Sequence, residues 1–233
     1  MIKRAFLFFI FLGFYSLLII AQPSNIDQNN KGSINNDQTK SFEGSIKFIQ
    51  KMFNDTNYYT YHIKNNKVRL DVHENCNDCE ELENSMLFDL NKKTITAINP
   101  SRKLYINVPT KTFADPLSKN FKIIKSKNNK KIQGYKCYQW RVKNISENTE
   151  IAYWVTEDNF DFFEDLLYLW NRSEKHALYF LQIPDIKGFF PLLSVERTAL
   201  REQKMRLEVV EIIKKPIDNI VFEIPKTYRS YDH

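Results

Sequence analysis

Cys76 and Cys79, in the stretch HENCNDCEELEN, are the first residues whose type and spacing could do chemistry. A Cys-x-x-Cys pair serves as a redox couple, as half of a metal site or as a local disulfide. Redox work needs a stabilised thiolate, but Glu74, Asp78, Glu80, Glu81 and Glu83 crowd this pair, and their charge raises thiol pKa values. Zinc needs four ligands; His73 is near, but no second Cys-x-x-Cys or His pair follows at a suitable spacing. A local disulfide in an oxidising compartment is the preferred reading, ahead of free thiols, metal and redox. The third cysteine, Cys137, lies in an alternating stretch and reads as a small buried hydrophobe.

Other catalytic constellations are missing from the sequence. Gly44, Gly134 and Gly188 are scattered, so no glycine-rich loop can cradle a phosphate, and neither H-E-x-x-H nor G-x-S-x-G occurs. His62 on an alternating stretch, His176 on the polar side of a helical one and terminal His233 read as surface residues. The expectation is a protein that is not an enzyme, with no cofactor and no metal.

A lysine run, KNFKIIKSKNNKK from Lys119 to Lys131, reads as a solvated hairpin loop. Its alternative role is weak contact with an anionic membrane surface. Nucleic acid is not expected as a partner, because aromatics interleave poorly with these lysines. The formal charge of the chain is only +6.

The elements that must position these residues begin after a polar lead. Lys3 and Arg4 precede an apolar stretch from Ala5 to Ile20, which reads as a signal peptide over residues 1–21, with a retained anchor as the competing reading. Residues 22–40 are Asn-, Gln- and Ser-rich and read as a disordered linker. Residues 41–232 then suit a single domain, placed in the periplasm or secreted.

Within that domain YYTYHIKNNKVRLDV alternates on both sides of Asn65-Asn66 and predicts a hairpin. MLFDLNKKTITAINPSRKLYINVP predicts three short strands, GYKCYQWRV pairs with EIAYWVTED, and LLSVERTALREQKMRLEVVEIIKK predicts two longer strands. About ten strands joined by local turns imply an antiparallel meander. DFFEDLLYLWNRSEKHALYFLQ instead has helical spacing, with Asp161 or Asp158 as candidate cap and Pro184 as a stop.

GYKCYQWRV carries large rings on both faces, so something must cover the second face. The expected fold is mainly β (α+β): a curved antiparallel sheet forming an incomplete β-barrel, with a helix covering the concave face. Tyr138, Trp140, Trp154, Phe162, Phe163, Trp170, Phe189 and Phe190 are the candidate lining or lid of an apolar cleft between them.

FEGSIKF, IKNNKVRLDV, DLNKKTITAINPSRKLYINVP, IQGYKCYQWRV, FFPLLSVE and IIKKPIDNIVFEIPKTY occur in that order. Together they resemble a secreted bacterial domain-of-unknown-function family, numbered four-four-one-two. That family is similar in fold to the LolA and LolB lipoprotein carriers, whose incomplete barrels hold acyl chains. The resemblance implies the fold and no catalytic residue. The expected role is binding of a hydrophobic small molecule, an acyl chain or a lipoprotein-like partner in the concavity. The alternative is an envelope protein-interaction or scaffold module whose concavity is filled internally.

Overall fold

The computed structural model describes residues 41–73, 82–113, 121–171 and 174–231. Residues 1–40, the Cys76/Cys79 stretch and His233 lie outside these.

Period-two alternation drives a run of strands: β1 (Gly44–Met52), β2 (Asp55–Lys64), β3 (Lys67–His73), β4 (Leu82–Asp89), β5 (Thr94–Asn99) and β6 (Leu104–Val108). These are followed by β7 (Phe121–Ile132), β8 (Tyr135–Asn144) and β9 (Thr149–Glu157). Two helices, α1 (Phe162–Trp170) and α2 (Lys175–Phe180), precede β10 (Phe189–Thr198) and β11 (Gln203–Ile213), and a two-residue β12 (Arg229–Ser230) closes the chain. All strands join one sheet in the order β12-β6-β5-β4-β3-β2-β1-β11-β10-β9-β8-β7, which does not close into a barrel. Every pairing is antiparallel except β12 with β6.

Turn chemistry agrees with the hairpins. Asn65 takes the left-handed φ of 52° between β2 and β3, and Gln133 and Gly134, at 48° and 81°, make the tight β7–β8 turn. Gly44 meets a stricter demand: at φ 151°, a Cβ there would stand 2.1 Å from the Ile213 carbonyl oxygen.

Three expectations are corrected. The helical stretch is two helices, because Asn171 turns left-handed at φ 47° and ends α1. Neither proposed cap acts: Asp161 makes no side-chain capping bond, and Asp158 pairs with Lys214. The lysine run from residue 121 is strand β7, not a loop, since the tight turn folds it directly onto β8.

Both helices lie on one face of the sheet. In-register Ile63, Val68, Phe88, Ile95 and Val108 form an apolar row on that side, and Trp170 of α1 sits on Phe88 at 5.2 Å between ring centroids. The opposite face is covered differently. After β11 the chain crosses it as a strap: Lys64 Nζ donates to the Ile217 carbonyl (2.5 Å), the Ile217 N–H donates to Glu43, and Arg69 donates to the Val221 carbonyl (3.0 Å). The strap ends as β12 beside β6.

Candidate functional site

The aromatic residues singled out from the sequence do not share one cleft. Phe162 and Phe163 of α1 and Phe190 of β10 are buried, and they interlock with Phe42, Phe160 and Phe180. Phe163 meets Phe190 at 4.6 Å and Phe180 at 5.5 Å between centroids, while Phe160 lies 5.1 Å from Phe190. Such offset and edge-to-face contacts fill space at interior density. These rings are a plug and not a lining, because α1, α2 and the sheet bring them face to face.

The remaining candidates lie around that plug. Trp140 is buried against Phe189 at 4.7 Å, with the Lys125 ammonium 4.4 Å from its ring. Trp154 belongs to the other alternation class of β9, is half-buried, and is covered by Lys130 at 4.2 Å. That lysine answers part of the two-faced-strand puzzle, since its alkyl stem lies over apolar surface while the charge reaches water. Cys137 and Trp140, of opposite alternation classes, are both buried, on either side of an irregularity in the β7–β8 pairing. Tyr138 stays exposed beside Lys136, and Trp170 is half-buried on Phe88. Burial pushes the Cys137 thiol up to about 11, so it stays protonated and inert at neutral pH.

Two histidines are misjudged by sequence reasoning. His62 is no free surface residue: its Nε2 lies 3.3 Å from Asp71, which also accepts from Arg69 (2.7 Å) and from the Ser85 hydroxyl (2.6 Å). Burial raises the Asp71 carboxyl, but the bonds from His62 and Ser85 and the Arg69 charge outweigh it and hold it below the usual range. This cluster lies beneath the strap and anchors Val221 through Arg69.

His176 is also buried, because the polar side of α2 turns toward the sheet. Its Nδ1 lies 2.8 Å from the Ser194 hydroxyl and its Nε2 3.8 Å from Glu196, while Tyr153 donates to its carbonyl oxygen at 2.8 Å. Serine, histidine and carboxylate invite comparison with a hydrolase triad, but Ser194 is 2% exposed and the Glu196 separation exceeds a hydrogen bond. No acyl group can reach that hydroxyl in this arrangement. Burial pushes the imidazole down to about 4, so it is neutral and serves as a polar joint between α2 and β10.

The plug covers one half of the helix-side face. The other half is a row that sequence reasoning did not single out: Leu207 opposite Gln50, then Phe48, Tyr59 and Val72 in register, with Met86 beside them opposite Leu70. Of these, Leu207, Gln50, Tyr59, Val72 and Met86 are half-buried, and Phe48 is clasped between Tyr59 (5.0 Å) and Tyr61 (4.8 Å). The row crosses five strands, about 19 Å at ordinary interstrand spacing. Within it the Tyr59 hydroxyl donates to Gln50 at 3.0 Å and the Gln50 amide meets the Met205 sulfur at 2.8 Å. The signal was available in the alternation of Phe48, Gln50 and Met52 with Tyr59 and Tyr61, although nothing in it distinguishes a half-covered face from a core.

Two hollows lie elsewhere among the described residues. One of about 240 Å³ is lined by Phe42, Glu43, Asp158, Lys214 and neighbours, and one of about 440 Å³ by Glu164, Tyr168 and the 181–187 loop. Neither contains any of the eight aromatic residues singled out from the sequence. Among the described residues, no cluster of three His, Cys, Asp or Glu side chains could hold a metal ion, and no helix is long and apolar enough to cross a membrane.

An open antiparallel sheet with two helices packed on one face and a C-terminal strap on the other defines the class of protein. The chain belongs to the family described as domain of unknown function DUF4412, which matches residues 42–228. No curated protein matches it. Among solved structures it is similar to an uncharacterized conserved protein from Thermus thermophilus, at TM-score 0.47 and 9% identity over 83% of this chain and 92% of that one. It is also similar to a chain of the Pseudomonas aeruginosa MucA/MucB complex, at TM-score 0.48 and 7% identity over 82% of this chain and 58% of that one. A putative outer membrane lipoprotein-sorting protein domain from Vibrio parahaemolyticus is a more distant likeness, at TM-score 0.30 and 9% identity over 77% and 88% of the respective chains. Likeness at this level does not transfer a role.

Proposed function

We propose that this chain is an extracytoplasmic, non-enzymatic binding domain that holds a hydrophobic chain against the half-buried part of its helix-side face beside the phenylalanine plug. The observation that carries this reading is the half-buried row of Leu207, Tyr59, Val72 and Met86 beside Phe48, largely apolar side chains on five adjacent strands. An acyl chain laid across such a row gains about 0.8 kcal/mol per buried methylene. The proposed lining therefore moves from Phe162, Phe163 and Phe190, which fill the other half, to Phe48, Tyr59, Val72, Met86 and Leu207. Placement outside the cytoplasm rests on the apolar N-terminal stretch of the sequence.

Native mass spectrometry after gentle extraction, with displacement of a fluorescent fatty acid, tests the proposal. Affinity should rise roughly fourfold per added methylene until the row is spanned, and Leu207→Asp should abolish it. An empty protein that ignores fatty acids of every length would refute the reading. The second reading, a protein-interaction module with a filled concavity, is favoured by the tightness of the plug. It predicts indifference to fatty acids together with capture of an envelope protein that Leu207→Asp does not disturb.

A further inference from the structure

The sheet has two edges, and one of them is unusual in charge. From Phe121 to Asn144, the β7–β8 hairpin carries eight Lys and Arg residues and no Asp or Glu. Its +8 exceeds the formal +6 of the whole chain, so all other residues together are net negative. Lys143 and Arg141 are paired with Glu150 of β9. Lys122, Lys125, Lys127, Lys130, Lys131 and Lys136 are exposed, and among the described residues none of the six forms an ion pair with a carboxylate.

Lysines on an edge strand also keep one sheet from adding to another, and a single charge or a bulge is enough for that. Lys125 and the register irregularity between Lys125 and Asn129 already supply both. The surplus cations need a separate account. One of them, Lys136, holds its ammonium 5.2 Å from the ring of Tyr138, which is 36% exposed. An exposed tyrosine on a hairpin rich in lysine is the composition of surfaces that sit at lipid headgroup level.

We propose that the β7–β8 edge docks on an anionic phospholipid surface, with the lysines that no carboxylate neutralises on the headgroup phosphates and Tyr138 at the interface. Such docking is independent of what the helix-side face binds. The commitment to lipid rests on charge complementarity along a 12-residue edge strand and on the exposed Tyr138 ring of the strand beside it.

The test is co-flotation of the purified protein with phosphatidylcholine vesicles that contain or lack phosphatidylglycerol. Binding is expected only with phosphatidylglycerol, and should fade as salt shortens the screening length from about 10 Å at 0.1 M to about 3 Å at 1 M. The combined variant Lys122→Gln, Lys127→Gln, Lys131→Gln, Lys136→Gln should keep its thermal midpoint and lose roughly fivefold in partitioning for each lysine removed. Because these side chains are exposed, the variant should fold; if it does not, the salt series on the unmodified protein still decides. Equal binding to neutral vesicles, undiminished binding by a folded variant, or indifference to phosphatidylglycerol at low salt would overturn the proposal. Indifference combined with retention on an anionic polysaccharide would assign the edge to that polymer instead.

Discussion

The two halves of the helix-side face are built from the same kind of strand and end in different states. Over β8 to β10, side chains from α1 and α2 interlock with those of the sheet, and Phe160, Phe180 and Leu166 are almost without exposure. Across β11 and β1 to β4 the inward Ile46, Ile63, Val68 and Phe88 are buried as well, and the partly filled stretch is the next one along those strands, with Leu207, Tyr59, Val72 and Met86 all half-buried. Alternation sets which side chains point inward, and the segment laid over them decides whether they become core. The proposed binding surface is a strip of potential core that the helices leave partly unfilled.

The comparison can be broken most forcefully at the plug. Phe163→Ala removes a ring packed on Phe180 and Phe190 and should cost about 3–5 kcal/mol in denaturant unfolding. A cost near that of a surface change would show the plug to be loose.

Next comes the joint that holds α2 over that half. His176 has its pKa lowered from 6.5 to about 4 by burial. The unfolded chain therefore binds this proton more readily, and the stabilisation, complete above about pH 6.5, is lost as pH falls toward 4. The loss amounts to about 3 kcal/mol. The Glu196 carboxylate, 3.8 Å from Nε2, opposes part of it, whereas Tyr153 and Ser194 add no charge. Stability measured against pH should show this slope in the natural protein and a flatter profile in His176→Gln.

The half-buried strip is braced from behind by the strap. Asp71→Asn should cost about 2 kcal/mol by weakening the bonds from Arg69, His62 and Ser85. Its folded-state pKa is lowered, so the natural aspartate contributes stability above the ordinary carboxylate range and loses it as pH falls through the folded value. Hydrogen exchange in β3 and the strap should speed up together in the variant.

The smallest stability effect belongs to the strip itself. Tyr59→Ala should cost about 1 kcal/mol, far less than Phe163→Ala, while reducing fatty-acid affinity more than any plug variant that still folds. A large stability loss there would mean that the strip is core after all.

Much of the architecture was legible in the residues. Alternation around Asn65 gave the β2–β3 hairpin, and the three short strands, the β8–β9 pair and the β10–β11 pair all stand where their patterns predict. The misreadings have physical causes. The lysine run looked like a solvated loop because charge tracks exposure, and an edge strand is exposed too. His62 and His176 looked free because a polar position beside an apolar pattern is solvated only when nothing covers that face, and the strap and α2 cover theirs. The strap, from Lys214 to Tyr228, has no periodicity to find; it is held by bonds such as those from Lys64 and Arg69 to its carbonyls.

By itself, the sequence determined that this chain makes an open antiparallel sheet with helices after β9, because side-chain period and turn residues act over a few neighbours. Only the tertiary structure decided which aromatic residues plug the concavity and which apolar row stays half-covered. Burial depends on what another part of the chain places on top, here helices more than 80 residues downstream of the strand that carries Tyr59. The sheet order likewise puts the cationic β7–β8 hairpin at one end, with β7 the outermost strand among the described residues.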